Sequence, residues 1–462
     1  MNDAPSLDEP FVRMSFESVG FAPLVLAAYR RLLREAHGVL DYNGVPADGR
    51  RVWIVPGRIE VLGKHVDYAG GRSLLCSVQR GIVVVARARG DRTLTMRDAR
   101  RRETFSTAFD DPTPASFPWS VYPLTVLQRL RLNFGDMVRG ADIALASNLP
   151  PAAGVSSSSA LTVGLTLALA ALSDLAQHPA WQASIPDRPA LAGYIGALEN
   201  GIAFRDLPGE RGVGTMGGAQ DQTAILCCAP GQLDVFAWSP VRHERTVPWT
   251  EGFSFVIGVS GVIAAKTGAA KDRYNRAART AQRLLEAWNQ VGNGEARSLA
   301  EAFTEASGTA SPTAVPPALV DAANAGANEE FSAAHLTGRL QQFFDESYRF
   351  VPAAADALAR HALLEFGEVV AGSQQGAERA LENQIAETIS LVRIARDEGA
   401  VAASAFGAGF GGSVWAMVRS SQADSFIARW RELYTEAHRG ASRRSQFFLT
   451  EPSAPAFELL GG

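Results

Sequence analysis

Apolar positions fall into a small number of periodic blocks along this chain. Leu24, Leu26, Tyr29, Leu32 and Leu33 recur at helical spacing with basic residues between them, which predicts a helix over residues 22–36. Residues 52–55 and 82–85 are apolar, β-branched runs and predict strands. A short strand is expected at 143–146, stopped by Pro150 and Pro151. Residues 161–175 predict a buried helix whose small residues allow close packing. A buried strand at 253–259 opens a second region, followed by an amphipathic helix over 271–288. Residues 292–328 are rich in Ala, Gly, Ser, Thr and Pro, with breaks at Pro312, Pro316 and Pro317, and read as a helical insertion with a loose connection. Helices are expected over 331–371 and 377–396, then a strand over 414–418 after a glycine-rich turn. No internal repeat is visible. Strands and helices interleave throughout, so the class is α/β or α+β, with two lobes meeting near residue 250.

The 462-residue length agrees with two domains, and 47% hydrophobic with 20% charged residues is ordinary for a globular protein with a sizeable core. A net charge of −4 argues against nucleic acid or an anionic membrane surface as partner. Arg97, Arg100, Arg101 and Arg102 form the one local basic run, expected to be a solvated loop. Cys76, Cys227 and Cys228 make no disulfide framework and read as small buried hydrophobes. The acidic, polar N-terminus is not expected to be a signal peptide, and the apolar run from Leu161 to Leu172 is too short to span a bilayer. A cytoplasmic protein is expected, as a monomer or weak homodimer.

Candidate chemistry sits in four glycine-marked segments. Residues 56–71 place Arg58, Lys64, His65 and Asp67 beside glycines, a set suited to a ligand rich in hydroxyls. Residues 149–160 carry Gly154 and the serines Ser156, Ser157, Ser158 and Ser159 directly ahead of a helix, where N–H donors and the helix dipole favour an anion or phosphate. The segment lacks the Gly-Lys-Ser/Thr ending of a Walker loop. Asp221 follows the glycines of residues 212–218 and is a candidate general base, which a nearby Arg would hold ionised. Residues 406–413 hold Gly407, Gly409, Gly411 and Gly412, where a backbone or ligand can come close.

In order and wording these segments resemble the GHMP kinases, and within them the galactokinase branch. The family pattern P-G-R-V-N-L-I-G-E-H-x-D-Y-x-G-G is similar to PGRIEVLGKHVDYAGG here; P-x-G-x-G-L-S-S-S-A to PPAAGVSSSSA; G-I-M-D-Q to GGAQDQ; and G-G-G-F-G-G to GAGFGG. The resemblance implies an α+β fold of two lobes, the first (1–250) like domain 2 of ribosomal protein S5. The second (251–462) would be ferredoxin-like, with a helical insertion near 290–345. It also implies ATP and Mg²⁺ with a sugar in the cleft, and transfer of phosphoryl to the anomeric hydroxyl of galactose or a related sugar. By motif, Asp221 resembles the catalytic aspartate and Arg58 its partner. Ser158, or its neighbour Ser157, resembles the hydroxyl ligand of Mg²⁺, and Glu199 the acidic one. Lys64, His65, Asp67, Gly218 and Tyr274 stand at the sugar positions. Gly154 and Ser156 to Ser159 stand at the ATP phosphates, and Trp119 and Tyr122 are similar to the W-x-x-Y that shapes the adenine pocket.

Three departures from the family pattern matter. Residues 204–211 look inserted between Glu199 and Asp221, and the family's PELD-like segment survives only as Ala386-Glu387-Thr388-Ile389. Glu60 and Lys64 replace the family's Asn and Glu. If Lys64 reads the sugar, an acidic sugar such as galacturonate would gain an ion pair; if Lys64 pairs with Glu60, the two changes compensate. A non-catalytic sugar sensor on the same fold is the competing reading, although such relatives typically lose the serine loop or the aspartate.

Overall fold

The computed structural model describes residues 6–112, 114–115, 117–151, 153–263, 269–291 and 294–461. The first apolar run grows into a long strand, Arg51–Leu62, which pairs antiparallel with Arg72–Ala88. Alternate residues of this strand serve opposite faces. Val52 and Ile54 join Tyr29, Leu32 and Leu40 of the Pro23–Tyr42 helix in one core cluster, while Trp53 and Val55 join Leu165 and Leu169 of the Ser157–Leu172 helix in another. The strand is therefore covered by a helix on each side, and both its faces are apolar. A Cβ on Gly164 would stand 2.9 Å from Val84, so glycine lets the Ser157–Leu172 helix lie directly on the sheet.

Among the described residues, nine strands make up this sheet. Its main path runs Arg13–Met14, Phe457–Leu459, Arg51–Leu62, Arg72–Ala88, Ala141–Ser147, Thr93–Asp98, Glu103–Ala108; Gln232–Ala237 and Arg242–Pro248 branch from Arg72–Ala88. A second, four-stranded antiparallel sheet has the spatial order Ala402–Phe406, Ser413–Arg419, Phe253–Val259, Gln446–Thr450. In chain order that is second, third, first, fourth, with the helices Ala386–Asp397 and Ala423–Ala437 as crossovers. This is a ferredoxin-like arrangement, as the resemblance implied.

The connection from the first to the second strand of that sheet is greatly enlarged by helices, and here the structure departs from expectation. Residues 294–328 are not loose: they contain the helices Leu299–Ser307 and Pro317–Ala325. Their Leu299, Phe303 and Leu319 are buried with Trp288, Leu336 and Phe343. The insertion is helical as its composition suggests, but the prolines and alanines conceal how tightly it packs. The helix expected over 331–371 is divided into Ala333–Phe344, a π-helical segment Asp345–Phe350, Val351–Ala359 and Leu363–Gly376. Over 377–396 the chain forms a π-helical turn, Ala377–Leu381, and then Ala386–Asp397.

Candidate active site

The Arg51–Leu62 strand runs past the apolar residues into the motif, so Arg58 and Glu60 are strand residues buried to 3% exposure, not charges on a surface turn. Register irregularities between Pro56 and Arg58, and between Glu60 and Leu62, let the strand bend there. Arg58 reaches Asp221 through Nε and Nη2, each 2.7 Å from Oδ1, and its Nη1 donates to the carbonyl of Gly154. Asp221 lies in the first turn of the Gln220–Cys227 helix, and its Oδ2 accepts from the hydroxyls of Ser156 (2.6 Å) and Ser159 (3.2 Å). Three motifs distant in sequence thus converge on one carboxylate. The guanidinium and the two hydroxyls favour its ionised form.

Ser156 caps the Ser157–Leu172 helix in the left-handed region, with φ 60°. The glycine-rich loop of residues 406–413 lies against this turn. Gly407 has φ 81°, and a Cβ there would stand 2.9 Å from the Gly154 carbonyl, so close backbone approach explains glycine at this position.

Two cavities meet at this point. A polar one is lined by Arg58, Glu60, His65, Asp67, Glu199, Gly218, Asp221 and Tyr274, among others. A larger one, about 530 Å³, is lined by Trp119, Tyr122, Leu145, Leu149, Leu161, Gly154, Ser156, Ser157 and Ser158. Arg58, Asp221 and Ala408 line both.

In the polar cavity, His65 has φ 57°; its Nδ1 lies 3.1 Å from the Tyr68 hydroxyl and its Nε2 3.2 Å from the Ala408 carbonyl. A carbonyl only accepts, so Nε2 carries the proton and Nδ1 accepts from Tyr68. Asp67 is half-buried, and its desolvation, with Asp221 nearby, pushes its carboxyl above the usual range. A Cβ on Gly218 would come 2.4 Å from Asp67 Oδ2, which excludes any larger residue there. Tyr274, 5.6 Å from the His65 ring, has its hydroxyl pushed well up by burial and by Asp67 and Asp221. The glycine loop is pinned by Asn200 Oδ1 to Gly217 N and Asn275 Oδ1 to Met216 N, both 2.9 Å.

Glu199 ends the Arg188–Asn200 helix and lines the same cavity as Asp221. Residues 204–211 form a loop closed by a bridge between Phe204 and Leu207, with Leu207 buried in the main core. Ser158 opens on the larger cavity and Glu199 on the polar one. These hard oxygens flank the shared wall, a donor set that fits Mg²⁺ held chiefly by nucleotide phosphates. The Ala386–Thr388 segment starts a helix and lines neither cavity.

Lys64 requires a correction. It is 1% exposed and does not line the cavity; its Nζ donates to Ser373 Oγ at 2.8 Å, and that hydroxyl donates to Glu346. Nor does it pair directly with Glu60, whose Oε2 instead accepts from Gln220 Nε2 at 2.6 Å. Burial explains the change: an ammonium in the interior needs polar partners, and Ser373 and Glu346 supply them. An ion pair between Lys64 and an acidic sugar has no support in this geometry.

Several residues that hold the site are not evident in the motifs. Arg339 donates to the His65 carbonyl and the Tyr68 hydroxyl, Gln342 to the Lys64 carbonyl (3.1 Å), and Glu346 accepts from Gly63 N (2.8 Å). The spacing of three and four residues sets them on one helical face. A polar stripe among Leu336, Leu340, Phe343 and Phe344 was the available signal. Arg100 and Arg101, expected in a solvated loop, line the larger cavity.

Known proteins share both the motifs and the fold. The galactokinase galactose-binding signature matches residues 41–88, the GHMP kinases N terminal domain 121–187 and the GHMP kinases C terminal domain 354–436. A galactokinase of Streptomyces coelicolor is 32% identical over 205 residues, 44% of this chain and about half (48%) of that relative. A galactokinase of Chloroflexus aggregans is 25% identical over 84% of this chain and 88% of its own length. In fold, the galactokinase of Lactococcus lactis, solved in complex with galactose, superposes with TM-score 0.74 at 21% identity, covering 94% of this chain and all (100%) of that one. The galactokinase sugar signature and both GHMP kinase domains thus match this chain in order.

Proposed function

We propose that the chain is an ATP-dependent sugar kinase that phosphorylates the anomeric C1 hydroxyl of galactose or a related neutral sugar. The observation that carries this reading is the Arg58–Asp221 pair on the wall shared by a polar and a larger apolar cavity. His65, Asp67, Gly218 and Tyr274 would hold the sugar in the first. Trp119 and Tyr122 would enclose the adenine in the second, with Gly154 and Ser156 to Ser159 at the phosphates.

The sugar hydroxyl then meets Asp221, which orients it or takes its proton as its oxygen bonds the γ-phosphorus and ADP leaves. Arg58 keeps Asp221 ionised and stabilises charge on the transferring group. Ser158 and Glu199 would hold Mg²⁺, which supplies charge neutralisation at the phosphates.

The cavity walls favour a neutral sugar, since Glu60, Asp67, Glu199 and Asp221 line it and Lys64 does not. A sensor is disfavoured because the serine loop and Asp221 are joined by hydrogen bonds as a working unit. No helix among the described residues is long and apolar enough to cross a membrane. Three buried free thiols suit a reducing cytoplasmic setting.

The test is ADP release from ATP with galactose, other neutral hexoses, galacturonate and mevalonate, with the product identified by phosphorus NMR. A neutral sugar 1-phosphate is expected. Turnover only with galacturonate or only with mevalonate would overturn the reading.

A further inference from the structure

Glu60 is the one carboxyl in the polar cavity that the motif comparison leaves without a task. It lies two residues along the same strand from Arg58, so both face one side, roughly 6–7 Å apart. One carboxyl oxygen, Oε2, is fixed by Gln220 Nε2 at 2.6 Å. The other, Oε1, is buried and has no hydrogen-bond partner. Buried polar atoms in native proteins are nearly always paired, and an orphan on a cavity wall marks a place for a ligand atom. A compensating ion pair does not account for it, since the Lys64 ammonium is bound to Ser373.

We propose that Glu60 is a specificity-determining residue that contacts the sugar directly, bonding a hydroxyl remote from C1, the task the family pattern places at position 64. The proposal rests on the sugar-kinase reading above. Lys64, tied to Ser373 and through it to Glu346, is then a positioning residue whose charge lies near the Glu60 carboxyl.

Burial pushes the Glu60 carboxyl up to about 8, with Lys64 and Arg58 opposing, Glu346 reinforcing and the Gln220 hydrogen bond opposing. At neutral pH it therefore carries a proton and can donate as well as accept, which suits a hydroxyl. A substrate carboxylate would lie among the carboxyls of Glu60, Asp67 and Glu199, while the cavity's guanidinium, Arg58, is already held by Asp221.

The experiment uses the full chain, ATP, galactose and its 2-, 3-, 4- and 6-deoxy analogues, with wild type, Glu60→Gln and Glu60→Leu. Glu60→Leu should raise the KM for galactose about 10- to 100-fold with the KM for ATP unchanged. One deoxy analogue should be poor for wild type yet lose nothing further in Glu60→Leu, identifying the hydroxyl that Glu60 binds. Losses that simply add for every analogue would overturn the proposal while leaving the kinase reading intact. A wild type inactive on every hexose would overturn the kinase reading itself. If Glu60→Leu does not fold, the isosteric Glu60→Gln decides: its galactose KM should stay flat across pH 8 while that of wild type changes. Identical pH profiles would reject the contact.

Discussion

Arg58 holds Asp221 with two nitrogens on a single oxygen, Oδ1, and leaves Oδ2 to Ser156 and Ser159. The carboxylate is thereby fixed in orientation as well as charge. Asp221→Asn keeps the shape and removes the charge. The turnover number should fall by about 10²- to 10⁴-fold, with the sugar KM changed little. Sugar-dependent ADP release by Asp221→Asn close to wild type would remove Asp221 from the chemistry.

Trp119 lines the larger cavity, with its indole N–H donating to Glu103. If adenine stacks there, Trp119→Ala should raise the KM for ATP by roughly tenfold, the loss of one aromatic contact of about 1.4 kcal/mol. The galactose KM should not follow. An equal rise in both constants would indicate general loosening instead.

Glu60 also makes stability depend on pH. Its carboxyl is raised from the ordinary 4.5 to about 8 in the folded protein, chiefly by burial, so the folded state holds the proton more tightly than the unfolded chain. The stabilisation is fully present below about 4.5 and is lost as pH rises through about 8. Glu60→Gln stays neutral throughout. Between pH 5 and 9, wild type should lose up to a few kcal/mol relative to this variant. Urea midpoints at pH 5, 7 and 9 measure it, and parallel trends for the two proteins would contradict it.

Arg339 should act on sugar affinity without touching the sugar. Arg339→Met removes the hydrogen bonds to the buried His65 carbonyl and the Tyr68 hydroxyl, at a cost of about 1–3 kcal/mol in stability. The galactose KM should rise while the ATP KM holds, because the hydrogen bonds that Arg339 donates hold the loop of His65 and Tyr68 in place. Steady-state kinetics with each substrate varied in turn separates the two. A change confined to ATP would show that the link runs elsewhere.

Most of the frame was legible because strong periodicity and local chemistry agree in it. The strand Phe253–Val259 appears where its apolar run places it, and the helix expected over 161–175 appears as Ser157–Leu172. Motif wording paired Arg58 with Asp221, whereas the hydrogen bonds of Ser156 and Ser159 to the same carboxylate appear only in the structure. What composition hid was long-range pairing. Lys64 looked like a sugar ligand because its partner Ser373 is 309 residues away. Pro312, Pro316 and Pro317 looked like loosening, yet Pro317 begins a packed helix, where its missing N–H costs nothing.

The grip of Arg339, Gln342 and Glu346 on residues 63–65 has a consequence for how such enzymes diverge. The position of the loop at residues 63–68 is set by the register of a helix that passes into a π-helical turn at Asp345–Phe350. A one-residue insertion or deletion in that helix would rotate the gripping face by about 100° and move the loop with its own letters unchanged. Two chains could therefore share an identical motif at residues 56–71 and accept different sugars. Conversely, a motif grafted alone into another kinase would arrive without the part that aims it.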